Sequence, residues 1–260
     1  MTKHERLSAP PVTEVICGLI FEPIPEIDPL VLGSYWESRR KEFPNHQLQP
    51  PISDEASLVL AGLPPIRTWF LSAEDEFVLQ IQHDRFYLNW RARGNEYPRF
   101  SDHSDRPPGL LSRLMKEFET FSLFCRERIG RAPAPLRIEL AKVDHLLQGD
   151  HWKDFNDLGV LLPWLRVFAR FTTSPDPAVG FRFAEDRDGG KLTVALDTAV
   201  GRKPDESTFR LIKLETRVVR VVKEEIRSEF IKANDALNDV FFDMIPKEQR
   251  DARFKTRGKP

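Results

Sequence analysis

The chain has 260 residues, 40% of them hydrophobic and 30% charged, and its formal net charge at pH 7 is −1. This length and composition describe an ordinary globular protein, which buries enough apolar area to fold without disulfides. A net charge near zero removes the whole-chain electrostatic argument for nucleic-acid binding, for which a basic surface is expected, although a local basic patch is compatible with it. No stretch approaches 18 uninterrupted apolar residues, so we expect no segment that crosses a membrane.

The N-terminus and the cysteines indicate a cytoplasmic protein. The opening residues MTKHERLSAPPV carry charges and prolines instead of the apolar core of a signal peptide. Cys17 and Cys125 are the only cysteines, and each lies within an apolar pattern. We therefore predict two buried, unpaired thiols in a reducing compartment.

The first half of the chain begins with a predicted strand and a predicted helix. In VTEVICGLIFEPI, alternate residues from Val15 to Phe21 are apolar, which is typical of a strand. Asp28 is a candidate N-cap with Pro29 at the first helical position, and Pro44 ends the helix. The later elements are a loop at 45–65 around a short strand at 58–61, a strand at 66–72, a hairpin at 77–91, a loop at 91–109 and an amphipathic helix at 109–129.

The second half repeats this order of elements. LRIELAKVDHLL predicts a strand, and Asp150 is the candidate N-cap of a helix at 152–161. Asp188, Gly189 and Gly190 predict the turn of a hairpin. The other predicted elements are strands at 168–173, 179–186, 191–198 and 209–222, and a helix at 223–245 that Pro246 ends.

The order of elements predicts an α+β fold. Each half reads as a strand, a helix, about four strands and a second helix, although no residue identity links the two halves. Such a tandem pseudo-repeat gives a curved antiparallel sheet with helices on one face, the arrangement of TATA-binding-protein-like and helix-grip folds. The predicted organisation is a flexible leader at 1–11, a first α+β half at 12–131, a second at 132–246 and a basic, disordered tail at 247–260.

The stretch QIQHDRFYLNWR contains the candidate site. With His83 and Asp84 as a two-residue turn, a hairpin has one apolar face, formed by Phe77, Leu79, Ile81, Phe86, Leu88 and Trp90. The opposite face, which we call the polar face, holds Gln80, Gln82, Arg85, Tyr87, Asn89 and Arg91. Because amide, guanidinium and phenol groups form directional hydrogen bonds, the polar face is the predicted binding surface.

Four segments of the chain carry a resemblance, namely PPVTEVICGLIFEPI, IRTWFLSAEDEFVLQIQHDRFYLNWR, YPRF and ALNDVFFDMI. They resemble segments of an uncharacterised, sporadically distributed prokaryotic family of similar length. Glu139, Lys142 and Asp144 depart from the family's pattern, which more often has Tyr, Asn and Ile at these positions. The resemblance implies no catalytic residues. The family's patchy distribution suits accessory components of defence or toxin-antitoxin systems.

The motifs of several enzyme classes are missing from the sequence. It contains no GxSxG elbow, no GxGxxG after a strand and no GxxxxGK[ST] loop. The tightest histidine cluster, DHLLQGDH at 144–151, crosses a turn at Gly149, and Asp150 is already assigned as a helix cap. Turn and cap chemistry therefore explain this cluster better than a metal site does. We predict no catalytic residues, no metal and no cofactor.

Three functions fit the polar face. The leading hypothesis is a non-enzymatic binding or regulatory protein whose polar face contacts a protein partner, since interfaces are enriched in Tyr, Trp and Arg. The alternatives are a helix-grip domain that binds a small ligand, with or without catalysis, and a saddle that binds nucleic acid through base edges and stacking. The same groups also pair across strands, which by itself stabilises a sheet.

Overall fold

A computed structural model of the chain describes residues 5–52, 67–94, 96–100, 109–172, 174, 177–187, 189–202 and 206–254. The strands in these ranges are β1 (Val12–Phe21), β2 (Asn45–Gln49), β3 (Arg67–Leu71), β4 (Phe77–Gln82), β5 (Arg85–Arg91), β6 (Pro135–Leu147), β7 (Gly180–Arg187), β8 (Gly190–Arg202) and β9 (Thr208–Val221). The helices are α1 (Pro29–Arg39), α2 (Leu110–Ile129), α3 (Phe155–Leu161), α4 (Ile226–Met244) and α5 (Lys247–Phe254), with a 3₁₀ helix at Pro163–Phe171. None of the helices within these ranges has the length and apolar composition that crossing a membrane requires.

The chain divides into two compact units. The first unit contains Glu14–Leu140 and Arg220–Ile231, and the second contains the described residues of Met1–Thr13, Ala141–Val219 and Lys232–Pro260. In the first unit the strands lie in the order β2-β3-β4-β5-β1-β6, and in the second they lie in the order β6-β9-β8-β7. Strand β6 appears in both because the boundary between the units falls within it, after Leu140. Antiparallel pairing together with packed helices confirms the α+β class. The tandem repeat and the likeness to TATA-binding-protein-like or helix-grip folds stay predictions.

Helix α1 begins where the sequence predicts it. Oδ1 of Asp28 accepts hydrogen bonds from the backbone N–H groups of Leu30 at 2.9 Å and Val31 at 2.8 Å. Pro29 occupies the first helical position, where its missing N–H leaves no hydrogen bond unmade. The predicted N-cap is therefore confirmed.

Helices α1 and α2 cover the apolar face of the β4–β5 hairpin. The Phe86 ring lies 5.2 Å from the Phe121 ring and 5.6 Å from the Phe118 ring of α2. Tyr35 of α1 completes the cluster, with its ring 5.1 Å from that of Phe121. Aromatic side chains bury large apolar areas, so this cluster is the centre of the first unit's core. The polar face is on the side of the sheet away from these two helices.

The second unit has a separate apolar core. It contains Trp152, Leu158 from α3, Leu196 and Leu214 from the strands, and Phe254 from α5, all of them buried. Helix α5 lies within the tail that its basic composition predicted to be disordered, so that prediction is wrong for 247–254. Phe254 explains the difference, because its side chain is buried in the apolar core and holds α5 against it. The many charged residues around Phe254 make this contact hard to predict from composition.

Two further predictions in the second half are wrong. Residues 168–173 are predicted as a strand, but 168–171 form the end of the 3₁₀ helix. This helix starts at Pro163, and Leu162 and Leu165 are both buried three residues apart, a spacing that suits a 3₁₀ helix and not a strand. The cap of α3 is Asp154 instead of Asp150, since Oδ1 of Asp154 accepts the N–H of Asp157 at 3.0 Å.

Strand β2 forms inside the region predicted as a loop. Four of its five residues are exposed and most are polar, so no apolar alternation marks it in the sequence. It forms because its backbone pairs with that of β3, from Asn45 opposite Leu71 to Gln49 opposite Arg67. The short strand predicted at 58–61 lies outside the described residues.

Gly18 of β1 makes room for Tyr87 of the neighbouring strand. The two residues are opposite each other in the β1–β5 ladder. A Cβ atom built on Gly18 would lie 2.0 Å from Cδ1 of Tyr87, which is far inside van der Waals contact. Only glycine at this position allows the ring to lie flat across β1.

We expect Gly18→Ala to lower the free energy of unfolding by about 1–3 kcal/mol, because the added methyl group overpacks the buried Tyr87 ring. Chemical denaturation followed by circular dichroism measures this. The matched control is Gly33→Ala in α1, where no atom lies within 4 Å of the added Cβ. That control is expected to leave the protein as stable as before or slightly more stable. Equal effects of the two substitutions would contradict the packing argument.

Candidate functional site

The hairpin has the predicted register. Gln80 pairs with Tyr87 and Gln82 with Arg85, with His83 and Asp84 forming the turn between β4 and β5. The six polar side chains therefore share one face of the sheet, as the alternation predicts.

The polar face is largely buried. Five of its members are at most 5% exposed, namely Gln80, Gln82, Arg85, Tyr87 and Asn89. Arg91, at the end of β5, is the exception, with 17% of its side chain exposed. Buried polar groups require hydrogen-bond partners, so the contacts of each side chain decide what the face does.

At the turn end of the face, Gln82 and Arg85 bond to nearby groups of the chain. Oε1 of Gln82 accepts the N–H of Ile52 at 3.0 Å, and its Nε2 donates to the Ile52 carbonyl at 3.1 Å. The side-chain amide thus binds both polar groups of one residue. Arg85 donates to both carboxylate oxygens of Asp84, at 2.9 Å and 2.7 Å. These pairings satisfy buried polar groups and are structural.

The centre of the face is a hydrogen bond that crosses a strand. The hydroxyl of Tyr87 donates to Oε2 of Glu139 at 2.6 Å. Tyr87 belongs to β5 and Glu139 to β6, and the ring reaches over Gly18 of β1, which lies between them. A short hydrogen bond to a buried carboxylate is among the stronger kinds.

At the end of the face away from the His83–Asp84 turn, acidic and basic side chains alternate. Nδ2 of Asn89 donates to Oε1 of Glu14 at 2.8 Å. Arg91 lies between two carboxylates, 3.4 Å from Glu14 and 2.9 Å from Asp75. Arg93 also pairs with Asp75. The charges of Arg91 and Arg93 are therefore largely balanced by these acids.

Trp69 lies on β3, opposite Gln80, between two guanidinium groups. The Cζ atoms of Arg67 and Arg91 lie 5.4 Å and 4.9 Å from the centre of its ring. Its Nε1 donates to Oε1 of Gln80 at 2.8 Å, and Nη1 of Arg67 donates to the same oxygen at 2.9 Å. We call Arg67, Trp69, Gln80 and Arg91 the Trp69 cluster. The predicted residues Gln80 and Arg91 belong to it, whereas Arg67 and Trp69 were not among the predicted site residues.

Two buried polar atoms have no hydrogen-bond partner among the described residues. They are Nε of Arg67, within the Trp69 cluster, and Oδ1 of Asn89, outside it. Within the same part of the chain, Arg67 has no acidic partner within 4 Å either. Desolvation lowers the pKa of Arg67 from its ordinary value. This guanidinium is thus partly buried and lacks a compensating charge, a costly state that an anionic ligand relieves.

A second polar cluster, in the second unit, was not predicted. Nζ of Lys142 on β6 donates to Oδ1 of Asn238 on α4 at 2.7 Å. Asp144, two residues along the same strand, is 5% exposed. Lys142 and Asp144 are two of the positions that depart from the family pattern, and Glu139, the third, is the partner of Tyr87. The signal in the sequence that could have predicted these contacts is the presence of charged residues within the apolar strand LRIELAKVDHLL.

Burial shifts the pKa values of both charged groups in this cluster. Desolvation lowers the pKa of Lys142 to about 8, against the opposing charges of Asp144 and Asp235. Desolvation also raises the pKa of Asp144 to about 7, and the nearby Lys142 ammonium acts in the opposite direction. Each group therefore changes its charge near neutral pH.

The histidine cluster at 144–151 has the chemistry of a turn. Nδ1 of His151 accepts the N–H of Leu147 at 2.8 Å, which closes the chain reversal around Gly149. Gly149 has a φ of 94°, a left-handed conformation that glycine adopts without strain. In the described part of the chain, no group of three or more His, Cys, Asp or Glu side chains is placed to hold a metal ion.

Both thiols are buried and unpaired, as predicted. Cys17 donates its S–H to the carbonyl of Leu88 at 3.0 Å. Burial raises the pKa of Cys17 well above its ordinary value and that of Cys125 to about 12. The thiolate is the reactive form, so neither cysteine has the properties of a nucleophile.

We expect Asp144→Asn to stabilise the protein more at neutral pH than at acid pH. Because the carboxyl has a higher pKa in the folded state, wild-type stability falls as pH rises from about 4 to about 7 and the group ionises. The amide does not ionise, so the stability difference between variant and wild type grows over this range by roughly 2–4 kcal/mol. Urea denaturation at several pH values measures it.

Asp157→Asn is the matched control with the opposite sign. A hydrogen bond from Arg253 lowers the pKa of Asp157, so this carboxylate stabilises the folded state above its ordinary pKa and loses that effect in acid. The control is expected to be most destabilising at neutral pH. A pH-independent effect of Asp144→Asn would contradict the burial argument.

Comparison with protein-family models finds no match to this chain, and comparison with curated proteins finds none either. The resemblance to a sporadically distributed prokaryotic family therefore stays a prediction.

Proposed function

We propose that this chain is a non-enzymatic binding protein that contacts a partner protein through the Trp69 cluster. The observation that carries the proposal is the position of Trp69, whose ring lies between the guanidinium groups of Arg67 and Arg91. Trp and Arg are the residues most enriched where interface energy concentrates. The predicted binding surface is thus narrowed from the whole polar face to the Trp69 cluster.

The cluster is held in place before a partner arrives. The indole N–H of Trp69 is fixed by Gln80, and the guanidinium of Arg91 is fixed by Glu14 and Asp75. Side chains that are already ordered lose less conformational entropy on binding. The buried members of the polar face, Gln80 and Tyr87 among them, position Arg67, Trp69 and Arg91, and these three side chains contact the partner.

The charges of the Trp69 cluster favour a partner that presents a carboxylate. Arg91 already has acidic partners, but Arg67 has only the neutral oxygen of Gln80 among the described residues. A carboxylate placed against Arg67 compensates a desolvated charge and uses its unpartnered Nε. We therefore expect an acidic side chain of the partner next to an apolar group that stacks on Trp69.

A small polar ligand is the second candidate. It is favoured by the unpartnered Oδ1 of Asn89, which lies at the same end of the face as Glu14 and Arg91. A bound ligand predicts a small molecule released on denaturation and detected by mass spectrometry, with no protein recovered. The nucleic-acid hypothesis and the accessory role in a defence or toxin-antitoxin system stay predictions.

We expect Trp69→Ala and Arg67→Glu each to weaken partner binding by about 30-fold or more, the effect of losing an interface hot spot. The measurement is affinity capture from lysate of the protein's own cells, followed by titration of the protein that is recovered in a one-to-one amount. Circular dichroism and thermal unfolding confirm that the variants fold.

The chain offers a matched control in α1. The Cζ atom of Arg40 lies 5.3 Å from the centre of the Trp36 ring, so this pair has the same chemistry at another place on the first unit. Arg40→Ala is expected to bind the partner as wild type does. Full binding by Trp69→Ala and Arg67→Glu would overturn the proposal. Double substitution of Arg85 and Tyr87 is a poor test, because both are buried and their loss disturbs the fold.

A further inference from the structure

One edge of strand β7 pairs with no strand in the described part of the chain. Strand β7 pairs with β8 from Gly180 opposite Asp197 to Arg187 opposite Gly190, and no other described strand adjoins it. All eight residues of β7 are exposed. Strand edges of this length are templates for pairing with another chain, so natural proteins cover or disrupt them.

Exposed aromatic side chains accompany this edge. Phe181 and Phe183 alternate along one face of β7 and are 37% and 43% exposed. Phe181 contacts Trp164 of the 3₁₀ helix, with ring centres 5.0 Å apart. The same helix carries Phe171, which is 81% exposed. Apolar groups concentrated beside an open strand edge mark an interaction site more than they mark an ordinary surface.

The sequence of β7 is self-complementary. When two copies of FRFAEDR are aligned antiparallel with Ala184 opposite Ala184, Arg182 of each copy faces Asp186 of the other. Phe183 then faces Glu185. Registers centred on Arg182, Glu185 or Asp186 place like charges directly opposite each other, which is destabilising. The register centred on Phe183 pairs no opposite charges. The charge pattern thus selects one register.

We propose that two copies of this chain associate through their β7 edges, antiparallel and with a two-fold axis at Ala184. The axis runs perpendicular to the sheet, so the aromatic faces of the two strands lie on the same side, with Phe183 of each copy diagonal to Phe183 of the other. Backbone hydrogen bonds join the strands, and two Arg182–Asp186 pairs fix the register. Neither Arg182 nor Asp186 has an ion pair in the described part of its own chain that this contact must break.

This surface is distinct from the Trp69 cluster. Strand β7 belongs to the second unit and Trp69 to the first, and no residue is shared between the two. The association therefore neither requires nor excludes the binding function proposed above, and the two are tested by different variants.

Charge exchange tests the register. Sedimentation equilibrium of the wild-type chain at micromolar concentrations is expected to show a dimer. Arg182→Glu alone and Asp186→Arg alone each place like charges opposite each other, so each is expected to raise the dissociation constant tenfold or more. The double variant restores both pairs and the dimer. A mixture of the two single variants is also expected to form a heterodimer, because each supplies the charge that the other lacks.

Cysteine crosslinking tests the position of the axis. Opposite residues in an antiparallel pair have Cα atoms about 4.5–5.5 Å apart, within the range that a disulfide spans. Ala184→Cys is therefore expected to form a disulfide-linked dimer under mild oxidation. Val200→Cys, exposed on β8, is the control that is expected to stay monomeric on denaturing gels. The native thiols are buried and do not interfere.

Two results would overturn the proposal: a wild-type chain that sediments as a monomer, or single charge variants that associate as strongly as the wild type. A dimer that persists in the single variants and fails to crosslink at position 184 locates the interface elsewhere, which also contradicts the pairing of β7.

Discussion

The hydrogen bond from Tyr87 to Glu139 is the contact on which the polar face depends. It ties together three strands of the first unit, because the ring that makes it lies across β1 between β5 and β6. It requires glycine at position 18, since any side chain there occupies the space of the ring. A buried carboxylate is tolerated only with such a partner. The Tyr87 phenol and Gly18 therefore depend on each other, and the other members of the polar face lie around them.

The members of the polar face and its neighbours differ in how fully they are paired. Gln82, beside the turn, is matched by Ile52 of the same chain. On the neighbouring strand β3, Arg67 keeps a desolvated guanidinium without an acid among the described residues. Internal pairing stabilises the fold, whereas incomplete pairing leaves free energy for a ligand. This difference is why the proposed binding surface is centred on Arg67 and Trp69 and does not include the whole face.

Local patterns predicted the hairpin, its register and the cap of α1, because alternation and capping depend on residues close together in the chain. Burial of the polar face was not predictable in this way, since its partners Glu14 and Glu139 are 75 and 52 residues away from the groups they bind. Strand β2 was missed because its backbone forms the strand without an apolar pattern. The contact between Lys142 and Asn238 spans 96 residues, and only the folded chain brings them together.

The second unit is assembled from the two ends of the described chain. The N–H of Ala9 donates to the carbonyl of Phe254 at 3.0 Å, and Arg253 pairs with Asp157 at 2.7 Å. During synthesis the ribosome releases residues 5–13 long before α5 exists, so this unit cannot close until residue 254 has been synthesised. Most of the first unit, by contrast, is available once residue 140 has emerged. The two units therefore fold at different times, and the apolar core residues of the second unit stay exposed while the chain is still growing.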